Sequence, residues 1–453
     1  MQTKKKILWL PFLLSLLLLG ALAWGGWMLY DTYVDRSGWV EKDGVRFYRD
    51  FHGDPVSGWL SLPTGEYYFQ DGGIPLTGWQ SIESRTYYFD SDGIMATGWL
   101  TLDGDTYYLG EDGVRTLGWL SLQGNKYYLP EGILVSGWQE IEGEQYYFDE
   151  DGTMVTGFLD QGENRYYFGQ DGILVTGAAE IDGTPYLFGE DGAMVTGWVD
   201  EPAGRRYYLP EGGFAVLWME IAEKRYYFNE DGFLETGWRQ EGEYRYYLLP
   251  DGSAAVGPHD IDGERHYFSP KGIEVILVNE KNPLPSYFTP DPVEVYEWRS
   301  VDSRCYDALI KMMADCEAAG NDIYLNSGYR SSDQQAEILE ARTQEHMDTF
   351  ALTPEEATMK ALETVAVPGT SEHQLGLAVD LVGDDAKLWL AEHCWEYGFI
   401  RRYQADKAAW TGIVDEPWHF RYVGVEVSMD MKDSGLCLEE YLGAEAVRPW
   451  ELT

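Results

Sequence analysis

The sequence predicts a multidomain chain: an N-terminal transmembrane helix or signal, an all-β solenoid of hairpin repeats, and a carboxy-terminal α+β domain. Three observations carry this. Uncharged residues run unbroken from Ile7 to Tyr30, a Gly-Trp dipeptide recurs about every 20 residues from Gly38-Trp39 onward, and past Phe268 helix-like and strand-like patterns alternate without it. A length of 453 residues suits two or three domains. The balance of 33 Lys+Arg against 77 Asp+Glu leaves a net charge of −44, and the only basic cluster is Lys4-Lys5-Lys6. That excludes a nucleic-acid partner, whose phosphates would have to be neutralised by Lys and Arg. Disorder is excluded too, because 44% hydrophobic and 15% aromatic content is enough to build cores. The acid therefore coats folded surfaces or serves a cationic partner.

Residues 1–31 form the first element. The 24 residues Ile7 to Tyr30 would span roughly 36 Å as a helix, more than a hydrocarbon core of about 30 Å. The three lysines would stay cytoplasmic and everything after Asp31 would be exported, with Trp24, Trp27 and Tyr30 at the outer interface. A cleaved signal peptide ending at Ala21-Leu22-Ala23 is the other reading. Both place the rest of the chain outside the cytoplasm, either anchored in the membrane or secreted and wall-associated.

Residues 37–268 form the second element, about twelve units of 20 residues. Gly-Trp recurs at Gly58-Trp59, Gly78-Trp79, Gly98-Trp99, Gly118-Trp119, Gly137-Trp138, Gly197-Trp198 and Gly237-Trp238, with degenerate copies between them. An aromatic pair follows most copies, such as Tyr87-Tyr88 and Tyr107-Tyr108, and then an acidic-Gly turn such as Asp92-Gly93. A unit this short cannot bury a core alone, so the units must stack, each as a β-hairpin with Gly-containing turns. The aromatic rings pack hairpin on hairpin. Faces left at the junctions, with Trp59, Trp79, Trp99, Trp119, Tyr87 and Tyr107 as candidates, suit a quaternary ammonium group or a sugar ring. The phrase from Thr77-Gly78-Trp79 to Thr97-Gly98-Trp99 resembles the cell-wall-binding repeats of choline-binding and glucan-binding proteins and of large clostridial toxins. That resemblance implies a choline-bearing or other wall polymer as partner. One departure is plain: where choline-binding repeats usually carry Trp before the Tyr pair, this chain has Thr86, Thr106, Lys126, Gln145, Arg165, Arg206 and Arg225.

Residues 269–292 read as a proline-punctuated linker and domain entrance, centred on Val278 to Pro285, and residues 293–453 as the third element. Tyr306 to Cys316 carries apolar residues at helical spacing and ends before Gly320; Ile323-Tyr324-Leu325 reads as a buried strand running into Ser327-Gly328-Tyr329-Arg330-Ser331; Gln334 to Leu339 restarts a helix. Leu377, Val379 and Leu381 alternate with Ala378 and Asp380, so a strand would bury one face and present Asp380 on the other. His373 precedes it across a turn eased by Gly376. Trp418, Phe420 and Tyr422 alternate with His419 and Arg421, which predicts a second strand with Glu416 at its opening bend. Two imidazoles and one carboxylate, His373, His419 and Asp380, are a common donor set for catalytic zinc. Glu416 stands where a general base is needed. His52, His259, His266, His346 and His393 read as hydrogen-bonded core or surface residues. Cys305 and Cys316 sit too far apart on one helix to bridge, so any disulfide would need Cys394 or Cys437 as a partner; otherwise the cysteines read as buried thiols.

The phrases Ser327-Gly328-Tyr329-Arg330-Ser331, Ser371-Glu372-His373 with Gly376-Leu377-Ala378-Val379-Asp380, and Glu416-Pro417-Trp418-His419-Phe420-Arg421-Tyr422 resemble the zinc D-alanyl-D-alanine carboxypeptidases of the VanY type and their L,D-carboxypeptidase relatives. That resemblance implies Zn2+ held by His373, Asp380 and His419, Glu416 as general base, and Arg330 on the substrate's terminal carboxylate or the developing oxyanion. Gln334 and Ser371 would be further substrate contacts. The substrate implied is a peptidoglycan stem peptide. Two rival readings are a wall-binding or adhesion protein with a vestigial peptidase domain, which the intact residue set opposes, and a peptidoglycan endopeptidase.

Overall fold

The computed structural model describes residues 19, 21, 22, 35–383 and 385–448. The expected anchor or signal, apart from three of its positions, lies outside them, and among the described residues no helix is long and apolar enough to cross a membrane. The chain divides into two compact units, Met1–Val195 and Thr196–Thr453.

The first unit is a run of two-stranded antiparallel hairpins, one of them extended by a short third strand, Ile74–Pro75. In one of them Gly98–Leu102 pairs with Asp105–Leu109 and sets Trp99 opposite Tyr108. The turn between has only Asp103 and Gly104, both at positive φ (56° and 99°), the mirror-image turn whose twist matches that of the strands. A loop then closes on an aspartate: Oδ1 of Asp90 accepts from the amides of Asp92 and Ile94, each at 2.9 Å. Gly93 in this loop has φ 80°, and a Cβ there would lie 2.6 Å from that of Pro75, so two constraints demand glycine. The chain continues through Met95, whose amide donates to Glu66 O of the preceding hairpin at 2.8 Å, and Ala96, which donates to Tyr88 O at 2.8 Å. Each repeat is thereby bonded to its predecessor, as a stack without independent cores requires. Phe69, Phe89, Leu109, Leu129, Phe148 and Phe168 form its buried spine.

The second unit opens with four more hairpins, the last pairing Gly257–Ile261 with Glu264–Phe268. Here the structure differs from the expected linker. Glu274 and Val275 donate to Arg245 O and Tyr267 O at 2.7 and 2.8 Å, completing the repeat. Ile273, Val275 and Leu277 are buried with Tyr246 and Tyr267 against Ile400, Val427, Met431 and Leu438 in one cluster. The alternation Ile273, Val275, Leu277 makes this segment half apolar, and burying it outweighs the extended character read from the prolines further on.

The remainder is the α+β domain. Asp302 caps the helix Ser303–Ala318 by accepting from Arg304 N. A four-stranded antiparallel sheet runs in the order Tyr324–Ser327, Ala378–Val382, Glu416–Tyr422, Phe399–Tyr403. Its core holds Leu309, Met312, Leu325, Val379, Leu381, Phe399 and Phe420. Ala378–Val382 is an interior strand buried on both faces, Asp380 included, rather than on one as its alternation suggested. All four cysteines are free and buried.

Candidate active site

Sheet register assembles the site. Asp380 pairs with His419 on one side and Ser327 on the other, while Tyr403 pairs with Glu416. His373 arrives from the short 3-10 turn Glu372–Leu375, which ends at Gly376 with φ 73°. A Cβ on Gly376 would lie 2.9 Å from the Asp302 amide, so glycine is what lets the turn dock there.

His373, Asp380 and His419 each offer one ligand atom, and these lie within 4.8 Å of one another. Nε2 of His373 is 3.4 Å from Asp380 Oδ2, and its Nδ1 is 2.8 Å from Gly328 O. That carbonyl can only accept, so Nδ1 carries the proton and the Nε2 lone pair faces inward. Nδ1 of His419 is 3.2 Å from Asp380 Oδ1 and 3.8 Å from Glu416 Oε2. Arg330 donates from Nη2 to Asp380 Oδ2 and from Nε to Ser327 Oγ, both at 2.9 Å. Arg330, Ser371, Glu416 and Trp418 line the same cavity. Gln334 does not: its side chain pairs with Ser331 in a capping box at the start of Ser332–Phe350. Its neighbour Gln335 is buried, lines the cavity and accepts from Arg330 Nη1 at 3.4 Å.

Electrostatics suit a cation. Burial opposes Asp380's charge, but His373 and His419 hold its carboxyl well below the usual range. Burial lowers His373. For His419 burial acts downward, yet Asp380 and Glu372 push it up to about 9. That imidazole proton is one a dication would displace. Glu416 is pushed up to about 7 by burial, with His419 pulling the other way. Two nitrogen donors and one hard oxygen donor at this spacing fit zinc, with room in the cavity for a further ligand.

Sequence reasoning missed two buried neighbours. The Tyr403 ring lies 4.7 Å from that of His419, on an edge strand, Phe-Ile-Arg-Arg-Tyr, whose sequence gave no hint of a site. Glu372 was visible beside His373 but received no role; its Oε2 is 3.5 Å from His419 Nε2.

In the repeats each Trp wedges between two aromatic rings, two tyrosines everywhere except at Trp238, which has Tyr247 and His266. Trp99 has ring centroids 4.9 Å from Tyr108 and 5.1 Å from Tyr127 of the next hairpin. Trp59, Trp99, Trp119 and also Trp138 stay exposed. Tyr87 is buried, and Arg115 lies 5.5 Å from the Trp79 ring. Tyr107 forms the T-shaped wall of Trp79 at 4.8 Å. The residue opposite the fourth position of each Gly-Trp strand is arginine in several hairpins, and its guanidinium covers the ring: Arg46 on Trp39 at 3.9 Å, Arg225 on Trp218 at 4.5 Å, Arg245 on Trp238 at 3.6 Å. In the Trp198 hairpin one more residue precedes the tyrosine pair, so Arg205 rather than Arg206 stands opposite the fourth position, Asp200, with its guanidinium 4.6 Å from the ring.

Comparison with known proteins agrees with both halves. A D-alanyl-D-alanine carboxypeptidase (VanY) family model matches residues 299–425. A choline-binding repeat model matches 76–113, 135–174 and 175–216, and a cell wall binding repeat model matches 236–254. A D-alanyl-D-alanine carboxypeptidase of Enterococcus faecalis is 40% identical over 178 residues, 38% of this chain and 66% of that protein. A bifunctional D-Ala-D-Ala dipeptidase and D-Ala-D-Ala carboxypeptidase of Enterococcus gallinarum is 32% identical over 184 residues, covering 36% of this chain and 91% of that protein. The chain thus spans just under two thirds of the first curated relatives it matches, 66% and 65%. Among solved structures, a variant of the vancomycin-resistance D,D-pentapeptidase VanY in complex with Zn(II) aligns at 40% identity, covering 37% of this chain and 97% of that one, with a TM-score of 0.36.

Proposed function

The chain belongs, through its carboxy-terminal domain, to the D-alanyl-D-alanine carboxypeptidase family, and on that premise we propose a zinc-dependent peptidase that removes the terminal D-alanine from peptidoglycan stem peptides. The carrying observation is the His373, Asp380, His419 cluster, the one potential metal group of this kind among the described residues, with Glu416 and Arg330 beside it. His373, Asp380 and His419 would hold the metal. When bound, zinc supplies a Lewis acid and a water ionising near about 7. Glu416, 3.8 Å from His419 Nδ1, takes the proton of the attacking water and returns it to the leaving amine. Arg330 is anchored by Ser327 and Asp380 and so aims a fixed, permanently charged fork at the substrate's carboxylate or the developing oxyanion. Ser371 and Gln335 complete the substrate contacts.

The apolar segment 7–30 would export the chain, as an anchor or a cleaved signal. The repeats would hold it at a choline-bearing or related wall polymer through the exposed Trp faces, raising the local concentration of substrate. Incubating the purified chain with defined pentapeptide and tetrapeptide stems, read by mass spectrometry beside Glu416→Gln, tests the activity. Loss of one alanine from the pentapeptide alone is the expected result; release from neither, with zinc supplied, refutes it. Cleavage of cross-linked dimers would favour the endopeptidase reading instead.

A further inference from the structure

His419 meets carboxylate oxygen at both ring nitrogens. Its Nδ1 faces Asp380 and Glu416, and its Nε2 lies 3.5 Å from Glu372 Oε2. Both Nε2 and Oε2 are buried, and neither has a hydrogen-bond partner elsewhere. Glu372 is wholly enclosed. Its other oxygen accepts from Arg402 Nε at 2.9 Å and Arg421 Nη1 at 3.0 Å. Arg402 in turn donates to both oxygens of Glu439 at 2.9 and 2.6 Å, and Glu439 accepts from Asn279 Nδ2 at 2.9 Å. Two carboxylates balance two guanidiniums, so the cluster is neutral as a whole. One acceptor is left unspent, and it points at the imidazole.

We propose that Glu372 is a positioning residue for the metal centre: it accepts the Nε2–H of His419 and so presents the Nδ1 lone pair to the metal, while Arg402 and Arg421 stop the carboxylate from turning away. The inference rests on the zinc reading of the site. A carboxylate behind a ligating imidazole fixes its tautomer and ring orientation and raises its basicity. The competing explanation is that Glu372 merely neutralises buried arginines. Glu439 separates the two, because it does that same work in the same cluster without touching a metal ligand.

The experiment measures zinc affinity of the full chain by competition with a chromophoric chelator, for Glu372→Gln and Glu439→Gln. The expected result is a loss of about 10–100-fold for Glu372→Gln and less than about two-fold for Glu439→Gln. Equal losses in both variants, or none in Glu372→Gln, would overturn the proposal. Should Glu372→Gln fail to fold, the unmodified chain still decides. With labelled histidine and NMR-active cadmium in the site, His419 should couple to the metal through Nδ1 and carry a proton on Nε2; coupling through Nε2 refutes the role. A chain that takes up neither metal fails the zinc reading itself, whereas tight binding insensitive to Glu372 fails only the positioning role.

Discussion

Arg402→Met tests whether the ionic cluster behind the site is a structural necessity or a tolerated luxury. Arg402 has no exposed side-chain surface and makes three charge-assisted hydrogen bonds, one to Glu372 and two to Glu439. Methionine fills similar space with no charge. Glu372 would retain Arg421, but Glu439 would retain only the Asn279 amide. Removing one partner of a buried pair typically costs about 3–5 kcal/mol, because a charge is left uncompensated. The second unit is large enough that each kcal/mol corresponds to a melting shift of about 2–4 °C, which gives roughly 6–20 °C for the single variant. Arg402→Met with Glu439→Leu removes the stranded charge along with its partner and should recover more than half of the loss, since replacing a whole pair by apolar groups is often neutral. Calorimetric melting of the metal-free protein at neutral pH measures both. A single-variant shift under about 3 °C, or a double variant no better than the single, would refute the claim that burial makes these charges interdependent.

Glu416→Gln should lower kcat by about 10²–10⁴-fold while zinc content, measured by atomic absorption, stays at the native level; lost metal would make Glu416 a ligand rather than a base. Because the base works ionised and burial holds it up to about 7 in the metal-free site, activity should fall as pH drops, with the acid limb of kcat/KM at or below that value since a bound dication pulls it down; a limb well above 7 would contradict the assignment. Chelation should abolish activity and lower the melting temperature of the second unit, and zinc should restore both. Gly376→Ala forces a left-handed residue worth roughly 1–2 kcal/mol of strain and a Cβ against the Asp302 amide, so zinc affinity should fall along with stability; unaltered affinity would show the turn is not what places His373. Titration with a quaternary ammonium ligand should quench tryptophan fluorescence less in a Trp99→Phe, Trp119→Phe double variant than in Trp218→Phe, Trp238→Phe; equal quenching would show that the arginine-covered faces bind as well.

The repeats were legible because their signals are local. Gly-Trp, the tyrosine pair and the Asp-Gly loop each act within about ten residues, through turn geometry and a ring-on-ring contact. The candidate metal donors were legible because two phrases carried them, one with His373 and Asp380 and one with His419, and the sheet then places Asp380 and His419 in register. What escaped was long-range. Glu439 and Asn279 reach the Arg402 clamp from positions 37 and 160 residues distant from their partners, and no sequence pattern announces a salt-bridge partner at such separation. Nothing local in the sequence shows that Arg402 is sealed; only packing does. The segment after Phe268 was mistaken for linker because prolines at 283 and 285 dominated the reading, although Ile273, Val275 and Leu277 already alternated as a buried strand would.

The arginine caps explain why one array has two kinds of hairpin. A cation over a tryptophan face gains about 0.5–1 kcal/mol where exposed and about 2 or more when desolvated, and a tethered guanidinium competes at an effective concentration in the millimolar range. A free ammonium ligand must displace it. Trp198, Trp218 and Trp238 carry such caps, and of these hairpins Trp218 itself and Tyr244 and Tyr246 of the Trp238 hairpin pack into the cluster with Ile400, Val427 and Met431. In the hairpins of Trp59, Trp99, Trp119 and Trp138 the place taken elsewhere by the capping arginine holds Glu66, Thr106, Lys126 and Gln145, and among the described residues no guanidinium covers their rings. The same 20-residue unit therefore meets two demands that conflict on one surface. Where the hairpins pack into the second unit's core the aromatic face is closed as scaffold; in the first unit Arg46 still closes Trp39, but the faces of Trp59, Trp99, Trp119 and Trp138 stay open, which is the condition for gripping a wall ligand.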